Sequence, residues 1–114
     1  MNQANKIFEK VKSSFLEELE SRLDVIHQEW ELVRNKGVSA CIADSSNPEL
    51  VRLVHNLAGA ASTFKLNQLC LDARGLETLL IAWFSGRFRS IDEITSDIDA
   101  KIKMLNKYMF ESHM

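Results

Sequence analysis

Length, composition and charge limit what this chain can be. It has 114 residues, of which 46% are hydrophobic and 26% charged, and its formal net charge is -2. These values are typical of one globular domain spanning residues 1–114 and exclude a disordered chain. The chain has no basic cluster and no apolar run near the ~18 residues of a membrane span, so we expect neither nucleic-acid nor membrane binding.

The first segment and the cysteines favour a cytoplasmic location. The N-terminus, MNQANKIFEK, has no apolar core of a signal peptide. Cys41 and Cys70 lie far apart and form no CxxC pair, so two reduced thiols are predicted rather than a disulfide.

A long amphipathic helix is predicted at the start of the chain. Residues 5–13 form either a short helix of their own or the first turns of the next one. Ser14 and Glu17 have the spacing of a capping box, which predicts a helix start there. Gly37 suits the left-handed position after the helix end. The apolar positions recur at steps of three and four: Phe15, Leu19, Leu23, Ile26, Trp30 and Val33.

Three further helices follow after short connections. Residues 38–47 are predicted to be a connection, with 40–43 as a short turn packed on the core and 44–47 as turn and cap residues. Asn47, Pro48 and Glu49 predict an N-cap, a first-turn proline and an acidic first turn. Asn67 is a predicted N-cap for the next helix, and Ser90 with Glu93 forms a second capping box. Short connections make neighbours antiparallel, so the predicted fold is all-α: an up-down-up-down four-helix bundle.

The second long helix carries one unusual feature, an exposed histidine. Its apolar face is Leu50, Leu53, Val54, Leu57, Ala61 and Phe64, which leaves Arg52, His55, Gly59 and Ser62 on the opposite face. A free imidazole has a pKa near ~6.5, so its neutral form is an available nucleophile at neutral pH. Gly59, one turn later, removes a side chain that would cover the imidazole. Close packing of two helices is the other reading of Gly59.

The motif around His55 resembles that of the histidine-containing phosphotransfer (HPt) domain. The segment His55-Asn56-Leu57-Ala58-Gly59 is similar to the family's His-x-Leu-(Lys or Ala)-Gly, and Leu76-Glu77 resembles a segment of its next helix. The resemblance implies that His55 accepts a phosphoryl group and that the partners are receiver domains of hybrid sensor kinases and response regulators. It also implies Mg²⁺ on the receiver only and no cofactor here, so that this chain is a carrier and not an enzyme.

Two positions depart from the commonest family pattern. Ala58, a candidate neighbour of the phosphate, replaces a frequent lysine. Arg52, Gln68 or Arg74 could supply the missing cation or hydrogen-bond donor. Lys65 replaces a frequent glycine, so the helix either ends there in a left-handed residue or ends later, toward Asn67. Docking is expected to use Arg52, Asn56, Gly59, Ser62 and the start of the following helix.

Other kinds of site are poorly supported. His27, His55 and His113 are far apart, with no HExxH motif, paired Glu-x-x-His motifs or glycine-rich phosphate loop, so no metal site is predicted. A nucleophilic triad is not indicated either. Two alternatives stay open: an adaptor that keeps the bundle and binds receivers or kinases without being phosphorylated, and an unrelated helical interaction module. A monomer is expected for a closed bundle.

Overall fold

The computed structural model describes residues 3–43 and 48–112, and this part of the chain is helical with no strand. Five helices follow one another in the order α1 (Gln3–Lys36), α2 (Val38–Ala43), α3 (Glu49–Thr63), α4 (Asn67–Ser85) and α5 (Ile91–Ser112). The prediction of an all-α bundle is confirmed. None of the helices in the described ranges is long and apolar enough to cross a bilayer.

Helix α1 is continuous, so the predicted helix start at Ser14 is wrong. Residues 5–13 are the first turns of α1 rather than a separate helix. The reason is tertiary packing: the rings of Phe8 and Phe15 both contact the ring of Phe64, with centroids 5.7 and 5.3 Å apart. A serine inside a helix costs only a fraction of a kcal/mol, about 0.5, which aromatic burial on both sides of it readily exceeds.

The end of α1 before Gly37 agrees with the prediction. Gly37 and Gly86 both have positive φ, 92° and 70°, as residues that follow a helix end often do. Helix α2 begins directly after Gly37 and buries Cys41 at the core, so the predicted connection is partly helical. The turn and cap residues predicted at 44–47 lie outside the described part of the chain.

The start of α3 and its junction with α4 differ from the predicted boundaries by one residue. Pro48 is the extended residue before α3, not its first helical residue, and Leu66 rather than Asn67 precedes α4. Lys65 has φ 61°, so the left-handed alternative is confirmed. The Leu66 N–H donates to the Ala61 carbonyl at 2.8 Å and closes the turn. At α5 the Ser90 Oγ accepts the Glu93 N–H at 3.3 Å, as the capping box predicts.

The four long helices form a closed ring in the order α1, α3, α4, α5, and α2 rests on α1 and α4. Apolar stripes from all four meet at the centre, where Trp30 and Trp83 make an edge-to-face contact at 5.4 Å. The Trp30 Nε1–H donates to Asp99 at 2.7 Å, and Arg34 binds the same carboxylate at 3.1 Å. These contacts tie α1 to α5 and leave the outer face of α3 uncovered.

Candidate functional site

His55 lies in the middle of α3 with its imidazole in solvent. Its side chain is 69% exposed, while Val54 and Leu57 on the other face of the same helix are buried. This division follows from the helical period, because residues one position apart point about 100° from each other. The imidazole therefore projects from the bundle while α3 stays anchored in the core.

The Nδ1 atom of His55 lies 2.8 Å from Oε2 of Glu77 on α4. A carboxylate accepts hydrogen bonds, so this contact favours the ring form in which Nδ1 carries the proton and donates it to Glu77. The Glu77 side chain is only 20% exposed, which limits its freedom to move away. The remaining ring nitrogen, Nε2, then keeps a lone pair on a largely exposed side chain.

Glu77 is the residue that sequence reasoning missed. The family motif includes it only in the Leu76-Glu77 segment, and nothing in that segment identifies a partner of the histidine. His55 and Glu77 are 22 residues apart, and they meet because α3 and α4 run antiparallel on either side of a three-residue connection. Each lies 11 residues from Leu66, so counting outward from the predicted connection could have paired them.

Gly59, one turn after His55 on α3, has open space where a side chain would be. A methyl group built on Gly59 meets no atom within 4 Å outside the local helix. Close approach of a neighbouring helix is therefore not the reason for glycine here. This geometry agrees with the prediction that Gly59 avoids a side chain that would cover the imidazole of His55. A docking surface of another protein could approach the imidazole from this side.

Arg52 stands one turn before His55 and is already paired. Its Nε donates to Oε2 of Glu49 at 3.0 Å, and its Nη2 binds Oε1 of the same carboxylate. This hydrogen bond lowers the pKa of Glu49; the bond and the charge of Glu49 together raise the pKa of Arg52. The guanidinium is thus neutralised locally and directed toward the N-terminal end of α3.

Two predicted site residues lie elsewhere. Ala58 is 3% exposed, so its methyl group packs in the core between α3 and the rest of the bundle instead of lining the outer face. The Gln68 amide donates to Oδ1 of Asp72 at 3.3 Å, and the other oxygen of Asp72 accepts from the Tyr108 hydroxyl of α5 at 2.7 Å. Gln68 therefore belongs to the α4–α5 side of the molecule, because helical spacing points it away from α3.

The other predicted residues are exposed on α3 or α4. Asn56 and Ser62 are exposed on α3, and Arg74 is exposed on α4. Asn56 borders a shallow groove between α3 and α1 that is walled by Leu53 and by residues of α1: Glu18, Ser21, Arg22, Val25 and Ile26. Exposed apolar side chains stand on α4 as well, with Leu71 at 63% and Ile81 at 49%.

A comparison with known protein families decides the classification. The family model described as Hpt domain matches residues 10–106, which is most of the chain. The chain belongs to the Hpt family. No curated protein and no solved structure matches it.

Hpt membership places the chain among the histidine phosphotransfer domains of phosphorelays. Domains of this family carry phosphoryl groups and interact with receiver domains. The match runs from within α1 to within α5, so it covers far more than the histidine motif alone.

Proposed function

We propose that His55 accepts a phosphoryl group on Nε2 from the aspartyl phosphate of one receiver domain and passes it to the aspartate of another. The observation that carries this proposal is the pairing of an exposed imidazole with Glu77 through Nδ1 at 2.8 Å. That arrangement holds one nitrogen protonated and leaves the other free to attack. His27 and His113, by contrast, do not begin a His-x-Leu-Ala-Gly motif in the sequence.

The transfer balances without any further reactant. The Nε2 lone pair attacks phosphorus, an N–P bond forms, and the P–O bond to the receiver's aspartate breaks with its electron pair leaving on the carboxylate. The imidazole ring gains positive charge as Nε2 becomes bonded. Glu77, beside Nδ1–H, offsets that charge and keeps the ring oriented.

The receiver supplies the rest of the machinery in this proposal. Mg²⁺ and the groups that stabilise the transferring phosphoryl belong to the receiver, so this chain is a carrier rather than an enzyme. The receiver docks on the outer face of α3, over Asn56, Gly59 and Ser62, with the α1–α3 groove and the apolar side chains of α4 at its rim. A mixed polar and apolar surface suits a transient complex.

The test is transfer of labelled phosphate from a phosphorylated receiver to the protein. Wild type is expected to take up an acid-labile, alkali-stable label, and His55→Gln to take up none. His27→Gln is the matched control, because it removes an exposed histidine of α1 and should label like wild type. Binding of a receiver by wild type without any labelling would favour the adaptor, and labelling of His55→Gln would refute the proposal.

A further inference from the structure

A phosphoryl group on His55 would enter a region with little positive charge. Glu77 stands 2.8 Å from Nδ1, and the phosphoryl itself adds up to two negative charges. Ala58 contributes no cation, since it is a buried methyl group. A cation close to the phosphoryl group would therefore stabilise the phosphorylated form.

Arg52 is poorly placed to give it. The Nε and Nη2 edge of its guanidinium binds both oxygens of Glu49, and that pair is nearly neutral as a unit. Moving Arg52 to a phosphoryl group would break two charge-assisted hydrogen bonds and leave Glu49 exposed beside the new charge. The gain from one pairing would thus be largely offset by the loss of the other.

Arg74 is better placed. Ala58 and Arg74 each lie eight residues from Leu66, just as His55 and Glu77 each lie 11 from it. Because His55 and Glu77 are in contact, the antiparallel register puts Arg74 opposite Ala58, about 4.5 Å along the helix axis from Glu77. Arg74 is exposed, and within the described part of the chain its guanidinium forms no ion pair or hydrogen bond. A Cβ atom on Gly59 would also meet no atom within 4 Å.

We infer that Arg74 is the phosphate-binding cation of this site, acting across from α4 in place of a lysine on α3. This inference rests on the proposed phosphorylation of His55. Arg74 pairs with the phosphoryl oxygens once the N–P bond exists, and a guanidinium is suited to this because it can donate two parallel hydrogen bonds to them. Arg74 thereby stabilises the phosphorylated form relative to the free one.

The experiment uses the intact chain, phosphorylated with phosphoramidate so that no receiver is required. ³¹P NMR then follows the ionisation of the phosphoryl group with pH. A nearby cation lowers the pKa of that group, so Arg74→Gln is expected to raise the midpoint by about 0.5 pH unit, a partial shift because the site is exposed to water. Arg74→Lys should keep the midpoint close to that of wild type, because it retains the positive charge. A merely structural role of Arg74 would not produce this result.

The controls separate the possible failures. Arg87→Gln removes the same charge beyond the end of α4 and should leave the midpoint unchanged. A midpoint unaffected by Arg74→Gln, or a larger shift from Arg52→Gln than from Arg74→Gln, would overturn the assignment of Arg74. Absence of any phosphohistidine signal at His55 in wild type would instead refute the proposed function on which the assignment rests.

Discussion

Single residues decide the chemistry on the outer face of α3. The imidazole of His55 is exposed, Glu77 occupies one of its nitrogens, and Gly59 clears the approach to it. Each of these side chains could be changed with little effect on the core, because each lies on the solvent side of its helix or at its edge. Glycine in the middle of a helix, however, lowers stability relative to alanine.

Gly59→Ala is therefore expected to stabilise the fold. The added methyl group meets no atom within 4 Å, so only the helix-propensity gain of about 1 kcal/mol remains. Thermal unfolding followed by circular dichroism should show a melting temperature higher by about 4 °C. Gly75→Ala is the matched comparison and should gain less, since its methyl group would come within 3.3 Å of Lys101 Cε. A lower melting temperature for Gly59→Ala would show that glycine is needed there for packing.

At the scale of the element, the α3–α4 hairpin sets the register of the site. Its three-residue connection places His55 opposite Glu77, and the turn closes through the bond from the Leu66 N–H to the Ala61 carbonyl. Lys65 makes that turn in the left-handed region, with φ 61°. A residue with a Cβ atom is strained there by about 1 kcal/mol, and glycine is not.

Lys65→Gly should stabilise the protein by about 1 kcal/mol or somewhat less, because the relief of strain is partly offset by the greater freedom of glycine in the unfolded chain. Urea unfolding would show the change as a higher midpoint at an unchanged m-value. Lys65→Ala removes the same charge but keeps a Cβ atom, so it should not reproduce the gain. A Lys65→Gly midpoint at or below that of wild type would contradict strain at this turn.

The same scale explains what sequence reasoning could and could not predict. Repeated apolar steps predicted the buried stripes well, because a face buried over several turns leaves a signal in every turn. The predicted start of α1 at Ser14 was wrong because the local capping pattern competes with the burial of Phe8 and Phe15 against Phe64. Phe64 lies far from both in the sequence. Contacts between residues of different helices produce no such repeated pattern in the sequence.

The site residues show this division too. His55 and Gly59 could be found from the sequence, since both the exposed face and the family motif depend on neighbours within α3. The contact of Glu77 with His55 and that of Gln68 with Asp72 could not be found in this way, because both depend on how α4 is rotated between α3 and α5. Ala58 was expected at the phosphate, but the bundle turns its methyl group inward.

For the whole molecule, the ring of helices anchors the buried faces of α3 and α4 and leaves their outer faces in solvent. Contacts such as Trp30 with Asp99 close the ring between α1 and α5, on the side of the bundle away from the α3–α4 pair. The pairing of His55 with Glu77 is thus supported by α1 and α5, which contribute no side chain to it. The orientation of the His55 imidazole matters because a phosphoryl acceptor must meet its donor in one geometry.

The most direct measurement is NMR of the intact chain after phosphorylation, with ¹⁵N in the histidine rings to locate the N–P bond. If Glu77 holds Nδ1 of His55 protonated, Nε2 is the nitrogen left to react. Phosphorus is then expected on Nε2 of His55 and on no other ring nitrogen. Phosphorus on Nδ1 of His55, on His27 or on His113, or on no histidine at all, would contradict this expectation.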